Sequence, residues 1–126
     1  MGLDLYVDGF HVARWAYSGF SRFRQRVAAD IGINLAQMEG YVYNGIFWST
    51  IEDALVPFLH HSDCDGVLSP EECERIAPRL KEIVSKWPEN IEHETEFYPD
   101  YDREQGLRLA AGMENAAKLG ANLEFR

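Results

Sequence analysis

The stretch that most restricts how this chain can fold is 69–88. Ser69-Pro70-Glu71-Glu72 has the composition of a helix start. The serine hydroxyl is placed to accept the amide of Glu72, whose carboxylate can reach back to the serine amide, and proline suits the first turn because its missing N–H has no partner there anyway. Behind this start Cys73, Ile76, Ala77, Leu80, Ile83, Val84 and Trp87 recur at helical spacing and fall on one face. Pro78 predicts a kink about two turns in, and Pro88 ends the pattern. So complete an apolar stripe has to be covered, and the other segments must supply the cover.

Those segments have mixed periodicity. Leu3-Asp4-Leu5-Tyr6-Val7-Asp8 alternates and reads as a strand ended by Gly9. Residues 18–31 read as a helix with Phe20, Phe23, Val27 and Ile31 on its inner face and Gly32 as its stop. In Tyr41-Val42-Tyr43-Asn44-Gly45-Ile46-Phe47-Trp48, Asn-Gly between aromatic and β-branched residues predicts a hairpin, with a turn between two helices as the alternative. Ser49 or Thr50 caps a short helix through Leu55 that Pro57 breaks. A last helix starts at Asp102 with Gln105 three residues on, carries small residues (Gly106, Ala110, Ala116, Ala117) with Met113 on its inner face, and stops at Gly120. Leu123-Glu124-Phe125 is a closing strand that pairs with the first. The expected fold is therefore α+β, a single globular domain over residues 1–126. It has three main helices and a small antiparallel sheet built from the N-terminal strand, the central hairpin and the C-terminal strand.

Composition narrows the function. The 126 residues carry a formal charge of −9, and residues 49–126 hold all of the excess, with seventeen acids against eight bases. Direct nucleic-acid binding calls for the opposite balance. Acidity of this kind suits solubility, cations or a basic protein partner. No apolar run is long enough for a membrane span, and the N-terminus has no basic region followed by an apolar one. With only Cys64 and Cys73, free thiols and a cytoplasmic location are the expectation; a disulfide between them is the alternative for an exported protein.

Immediately before the helix start lies His61-Ser62-Asp63-Cys64-Asp65-Gly66-Val67-Leu68-Ser69-Pro70-Glu71-Glu72. Asp63 and Asp65 are spaced to converge, Gly66 permits a sharp turn, Leu68 is an apolar anchor and Glu72 is placed to close the loop with both carboxylate oxygens. The run resembles the twelve-residue calcium loop of an EF-hand, with His61 where that family has aspartate. The resemblance implies Ca²⁺ or another divalent cation held by Asp63, Asp65, Glu72 and His61. No second loop of the kind is present. Two other readings use the same residues: a turn in which the aspartates bond backbone amides while Glu72 caps the helix, and a transition-metal site of His60, His61, Asp63 and Cys64.

Two further surfaces are candidates. Arg14, Trp15, Tyr17 and Arg22 combine guanidinium groups with aromatic rings, as a small-nucleotide pocket would, although no Gly-rich phosphate loop accompanies them. Phe20 and Phe23 between these residues are core by periodicity. Glu92, Glu94, Glu96 and Asp100 form an acidic stretch that could imitate phosphates toward a basic target. No nucleophile motif is present, so an enzyme is not expected. The opening Met1-Gly2-Leu3-Asp4-Leu5-Tyr6-Val7, the His61–Gly66 stretch and the ending Leu123-Glu124-Phe125-Arg126 also resemble small bacterial and phage proteins. That resemblance implies no activity, but it fits an inhibitor or interaction protein acting on an unknown protein partner. The main expectation is a small acidic, non-enzymatic binding protein with a divalent-cation loop.

Overall fold

The computed structural model describes residues 2–88 and 101–126. The chain is α+β. Strands β1 (Gly2–Val7) and β2 (Phe10–Ala16) form an antiparallel hairpin that runs directly into helix α1 (Tyr17–Asp30). A 3₁₀ turn at Leu35–Gln37, an irregular segment and a second 3₁₀ turn at Trp48–Thr50 lead to the single-turn helix α2 (Val56–Leu59). Then come the two-residue strand β3 (Val67–Leu68), helices α3 (Pro70–Val84) and α4 (Tyr101–Leu119), and strand β4 (Leu123–Phe125). The strand order is β2-β1-β4-β3, antiparallel throughout.

The two terminal strands pair as expected, Val7 opposite Leu123 and Leu5 opposite Phe125. The hairpin is elsewhere than expected. It is the N-terminal Asp8-Gly9 turn, with both residues in the left-handed region at φ 50° and 81°, the geometry that matches the twist of two antiparallel strands. The central segment contributes no strand to the sheet: Asn44 is left-handed but Gly45 is not, and only isolated bridges join Met38 to Ile46 and Glu39 to Val42. Pro57 likewise does not break a helix but sits in the first turn of α2, where its missing N–H is harmless. The helix expected between Ser49 and Leu55 is absent.

Sheet and helices share one core. Leu3, Leu5, Ala13, Trp15, Leu68 and Leu123 are buried on one face of the sheet, against Phe20, Phe23 and Val27 of α1 and the stripes of α3 and α4. Helix α3 has the capping box its sequence predicts and runs on through Pro78; the apolar stripe is buried from Cys73 to Trp87. The small face of α4 serves internal packing: a Cβ at Gly106 would lie 2.9 Å from Phe23 and 3.0 Å from Val84. A bulge between Leu5 and Tyr6 of β1 leaves Val12 outside the paired register, where it meets Gly112 of α4. The free edge of β2 is closed by the same helix. The Arg14 amide donates to Gln105 Oε1 at 3.1 Å and the Arg14 carbonyl accepts from the Tyr101 hydroxyl, so the strand offers no ready template to another chain. Among the described residues no helix is long and apolar enough to cross a membrane.

Gly106→Ala is expected to destabilise the fold by about 1–2 kcal/mol, because crowding of Phe23 and Val84 outweighs the gain of alanine in a helix. Urea unfolding measures it, and adding Val84→Ala should return part of the loss. Full stability of the single variant would mean that α4 has room the packing denies.

Candidate functional site

Two irregular segments, 37–48 and 60–67, form one surface, held together from beneath by Arg24. Its guanidinium is buried, and Nη1 donates to the carbonyls of Phe58 (3.3 Å), Leu59 (3.4 Å) and His61 (2.6 Å), the end of α2 and the start of the loop beyond it. A cation is well placed at these outward carbonyls. The group lies 4.8 Å from the Phe20 ring centroid and 5.8 Å from that of Tyr41. Burial lowers its pKa, partly opposed by Tyr41 and Asp63, and its Nε is buried without a hydrogen-bond partner.

The first segment folds on itself. Ile46 donates to Gln37 and Glu39 donates to Ile46, backbone to backbone. The Glu39 carboxylate accepts the Trp48 amide (2.9 Å), and its carbonyl accepts the Trp48 indole N–H (3.0 Å). Gly45 is pressed against the backbone of Met38 and Glu39, leaving no room for a Cβ. The Tyr41 hydroxyl donates to the Leu59 carbonyl (2.7 Å); burial raises its pKa, with Arg24 opposing and Asp63 assisting, so it remains a donor. Met38 and Trp48 are buried anchors, and between them Tyr41, Val42, Tyr43, Ile46 and Phe47 are exposed, Tyr43 at 84% and Phe47 at 64%. The Asn44-Gly45 signal drew attention to this stretch as a hairpin. Its anchoring depends on Glu39 and on remote carbonyls, and no local pattern announces those.

The second segment is the run that resembles a calcium loop. One ring nitrogen of His61 faces the Ser62 carbonyl (2.8 Å) and the other the Val67 carbonyl (2.9 Å). Carbonyls only accept, so each contact is a bond when that nitrogen carries a proton, and a doubly protonated ring satisfies both. The ring stacks on Phe125 with centroids 4.0 Å apart. Glu72 turns back: Oε1 accepts the Ser69 amide (2.9 Å), and the Ser69 hydroxyl accepts the Glu72 amide (3.1 Å). In an EF-hand the first, seventh, ninth and twelfth loop positions serve the ion. Here His61, the Val67 carbonyl, Ser69 and Glu72 bond one another instead. Asp63 and Asp65 are exposed and take part in no ion pair among the described residues. Among those residues no group of three or more His, Cys, Asp or Glu side chains stands in cation-holding geometry. The strand edge at Val67–Leu68 is paired with β4, a partner supplied by the chain's own C-terminal segment rather than by a second loop.

The two segments meet. Tyr41 bonds Leu59, a Cβ at Gly40 would come within 3.9 Å of the His60 ring, and the exposed His60 stacks on Trp48 at 5.5 Å. Asp63 lies close enough to influence both Tyr41 and Arg24.

The nucleotide candidates do not converge. Trp15 is core, 4.6 Å from the Phe23 ring and with its indole N–H on Asp102, whereas Arg14 leaves the other face of β2 to pair with Asp4. Tyr17 is half-buried at the start of α1 and Arg22 exposed further along it. Strand alternation thus puts Arg14 and Trp15 on opposite faces of β2, whereas the Arg22 guanidinium and the Trp15 ring both lie within 4 Å of where a Cβ at Gly19 would stand. Glu92, Glu94, Glu96 and Asp100 lie outside the described residues. Cys64 is exposed and Cys73 buried, both as free thiols.

Comparison of the chain with protein-family models, with curated proteins and with solved structures gives no match.

Arg24→Met keeps the volume but removes the donor from three carbonyls, and a loss of about 2–4 kcal/mol is expected in urea unfolding. Tyr41→Phe removes one bond and should cost about 1 kcal/mol. Equal stability of the methionine variant would refute the clamp. Burial pushes the Cys73 thiol up to about 11 from 9.0, so the neutral thiol's contribution to stability is whole below pH 9 and is lost as pH rises to about 11. At pH 8 a thiol reagent is expected to label Cys64 at once and Cys73 only after unfolding; rapid double labelling would contradict this burial.

Proposed function

We propose that this is a non-enzymatic interaction protein that docks a basic protein segment on the surface formed by residues 41–47 and the Asp63/Asp65 loop. One observation carries the reading: five large apolar side chains stand in water within seven residues, on a segment braced by Glu39, Gly45 and the Tyr41–Leu59 bond. Single exposed apolar residues need no explanation, but a contiguous exposed group marks a surface meant to be covered. Bracing lowers the ordering cost of association, and exposed tyrosine with phenylalanine is the composition of interface centres. The charge chooses the partner. Asp63 is close enough to Tyr41 to raise its pKa, Asp65 follows two residues on in the same exposed loop, and the chain carries −9 overall. Lysine and arginine can stack on the rings while pairing with the carboxylates.

A labelled peptide of alternating arginine and leucine tests this by fluorescence anisotropy, with a glutamate–leucine peptide as control. The basic peptide is expected to bind in a salt-sensitive way, and both Tyr43→Ser/Phe47→Ser and Asp63→Asn/Asp65→Asn should weaken it about tenfold or more. Indifference to both double variants, or equal binding of the acidic peptide, would sink the reading.

Divalent-cation capture by residues 61–72 is a second reading, favoured by the exposed carboxylates of Asp63 and Asp65, which have no ion pair among the described residues. It requires Glu72 to leave the Ser69 amide and His61 to leave the Val67 carbonyl. Calorimetry with Ca²⁺ and Mg²⁺ decides it: heat together with a raised melting temperature reversed by chelator supports capture, and silence in both removes it.

A further inference from the structure

Strand β2 and helix α4 leave a cleft of about 370 Å³, within the range of small-molecule sites. We infer that this cleft binds a linear amphipathic carboxylate, with its tail along Val7, Phe10 and Leu119 and its carboxylate at Arg108. The residues of α4 that line it recur at helical spacing from Arg108 to Leu119, a run of about 16 Å along the helix at 1.5 Å per residue.

The two ends of the cleft differ in chemistry. At one end Val7 pairs with Phe10 across the hairpin and with Leu123 beyond the end of α4, which gathers Val7, Phe10 and Leu119. Phe10 and Leu119 are 74% and 62% exposed, so this end is an apolar trough with two large side chains left in water. Toward the other end, where Arg14 is tied to Gln105 and Tyr101, stands Arg108. Its guanidinium has no ion-pair partner among the described residues, in a chain where acids outnumber bases. Asn115 adds a neutral amide donor between the two ends. His11, also on the wall, is already bonded to Asp4 through Nε2 at 2.9 Å.

The floor is built of small residues. Ala111 and Gly112 leave the helix thin there, and a Cβ at Gly112 would collide with Val12. An apolar slot with one free fork of N–H donors near one end suits an alkyl chain ending in a carboxylate. It suits neither a nucleotide, which needs a second cationic group for its phosphates, nor an alkylammonium, which Arg108 would repel.

Decanoate, kept below its micelle concentration, is the probe, followed by calorimetry and by the backbone amide resonances of Gly112 and Asn115. Decanoate is expected to bind, to shift both amides and to raise the melting temperature. Decanol and decylammonium should bind at least about tenfold more weakly. Arg108→Gln should lower decanoate affinity about tenfold and leave decanol unchanged, and Leu119→Gln should weaken both; neither exposed position should alter the melting temperature of the free protein. Absent binding, amides that do not move, equal affinity for the three decyl compounds, or an Arg108→Gln variant as tight as the parent would each overturn the assignment.

Discussion

The surface of this protein depends on one buried cation. Arg24 projects from α1 into the turn after α2 and donates to the carbonyls of Phe58, Leu59 and His61. The Leu59 carbonyl also accepts from Tyr41, so the same turn fixes segment 37–48. The residue that follows, His61, bridges its loop to Val67 and stacks on Phe125 of β4. One side chain therefore orders both irregular segments relative to the helices and, through β3 and β4, relative to the sheet. No carboxylate stands against it in an ion pair among the described residues; backbone dipoles and the Phe20 face balance the charge. That is an expensive device to lose, because removing the cation strips a shared donor from three carbonyls and leaves that of His61 without its 2.6 Å bond.

The regular elements were legible in the sequence where one physical cause governs them. The capping box and stripe of α3 are local, and they are found where the pattern puts them. The pairing of the terminal strands follows from alternation at both ends. Strand β2 was harder to read. Its buried positions Ala13 and Trp15 are separated from the turn by the Val12 bulge, so the period of two is broken midway, and Arg14 and Trp15 suggested a ligand pocket instead. Asp8-Gly9 was the available signal, as strong a hairpin turn as the Asn44-Gly45 that was read as one.

The candidate site was legible only in part. The 61–72 run announces a tight loop, and both of its explanations, ion ligation and helix capping, use Glu72. In the fold Glu72 takes the local partner, the Ser69 amide three residues back, while β4 pairs with Val67–Leu68 just before the helix start. His61 then fills the loop with its ring. A histidine at the first position reads in the sequence only as a poor calcium ligand; in the fold its ring fills the loop, with its nitrogens facing the Ser62 and Val67 carbonyls, the second of which an ion would need.

The same logic explains why the aromatic group is presented rather than buried. A two-residue hairpin in 41–48 would have placed Tyr41, Tyr43, Ile46 and Trp48 together on one face, free to be buried as a group, with Val42 and Phe47 on the other. Instead Gly45 packs on the Met38–Glu39 backbone and Glu39 holds Trp48 twice, so the segment spends its two anchors, Met38 and Trp48, at its ends and leaves Val42, Tyr43, Ile46 and Phe47, with part of the Tyr41 ring, exposed between them. Exposing five large apolar side chains is unfavourable for an isolated monomer in water. A rigid scaffold that enforces such exposure, with the exposed Asp63 close to Tyr41 in an acidic chain, makes sense when a complementary surface removes those side chains from water and neutralises that charge together.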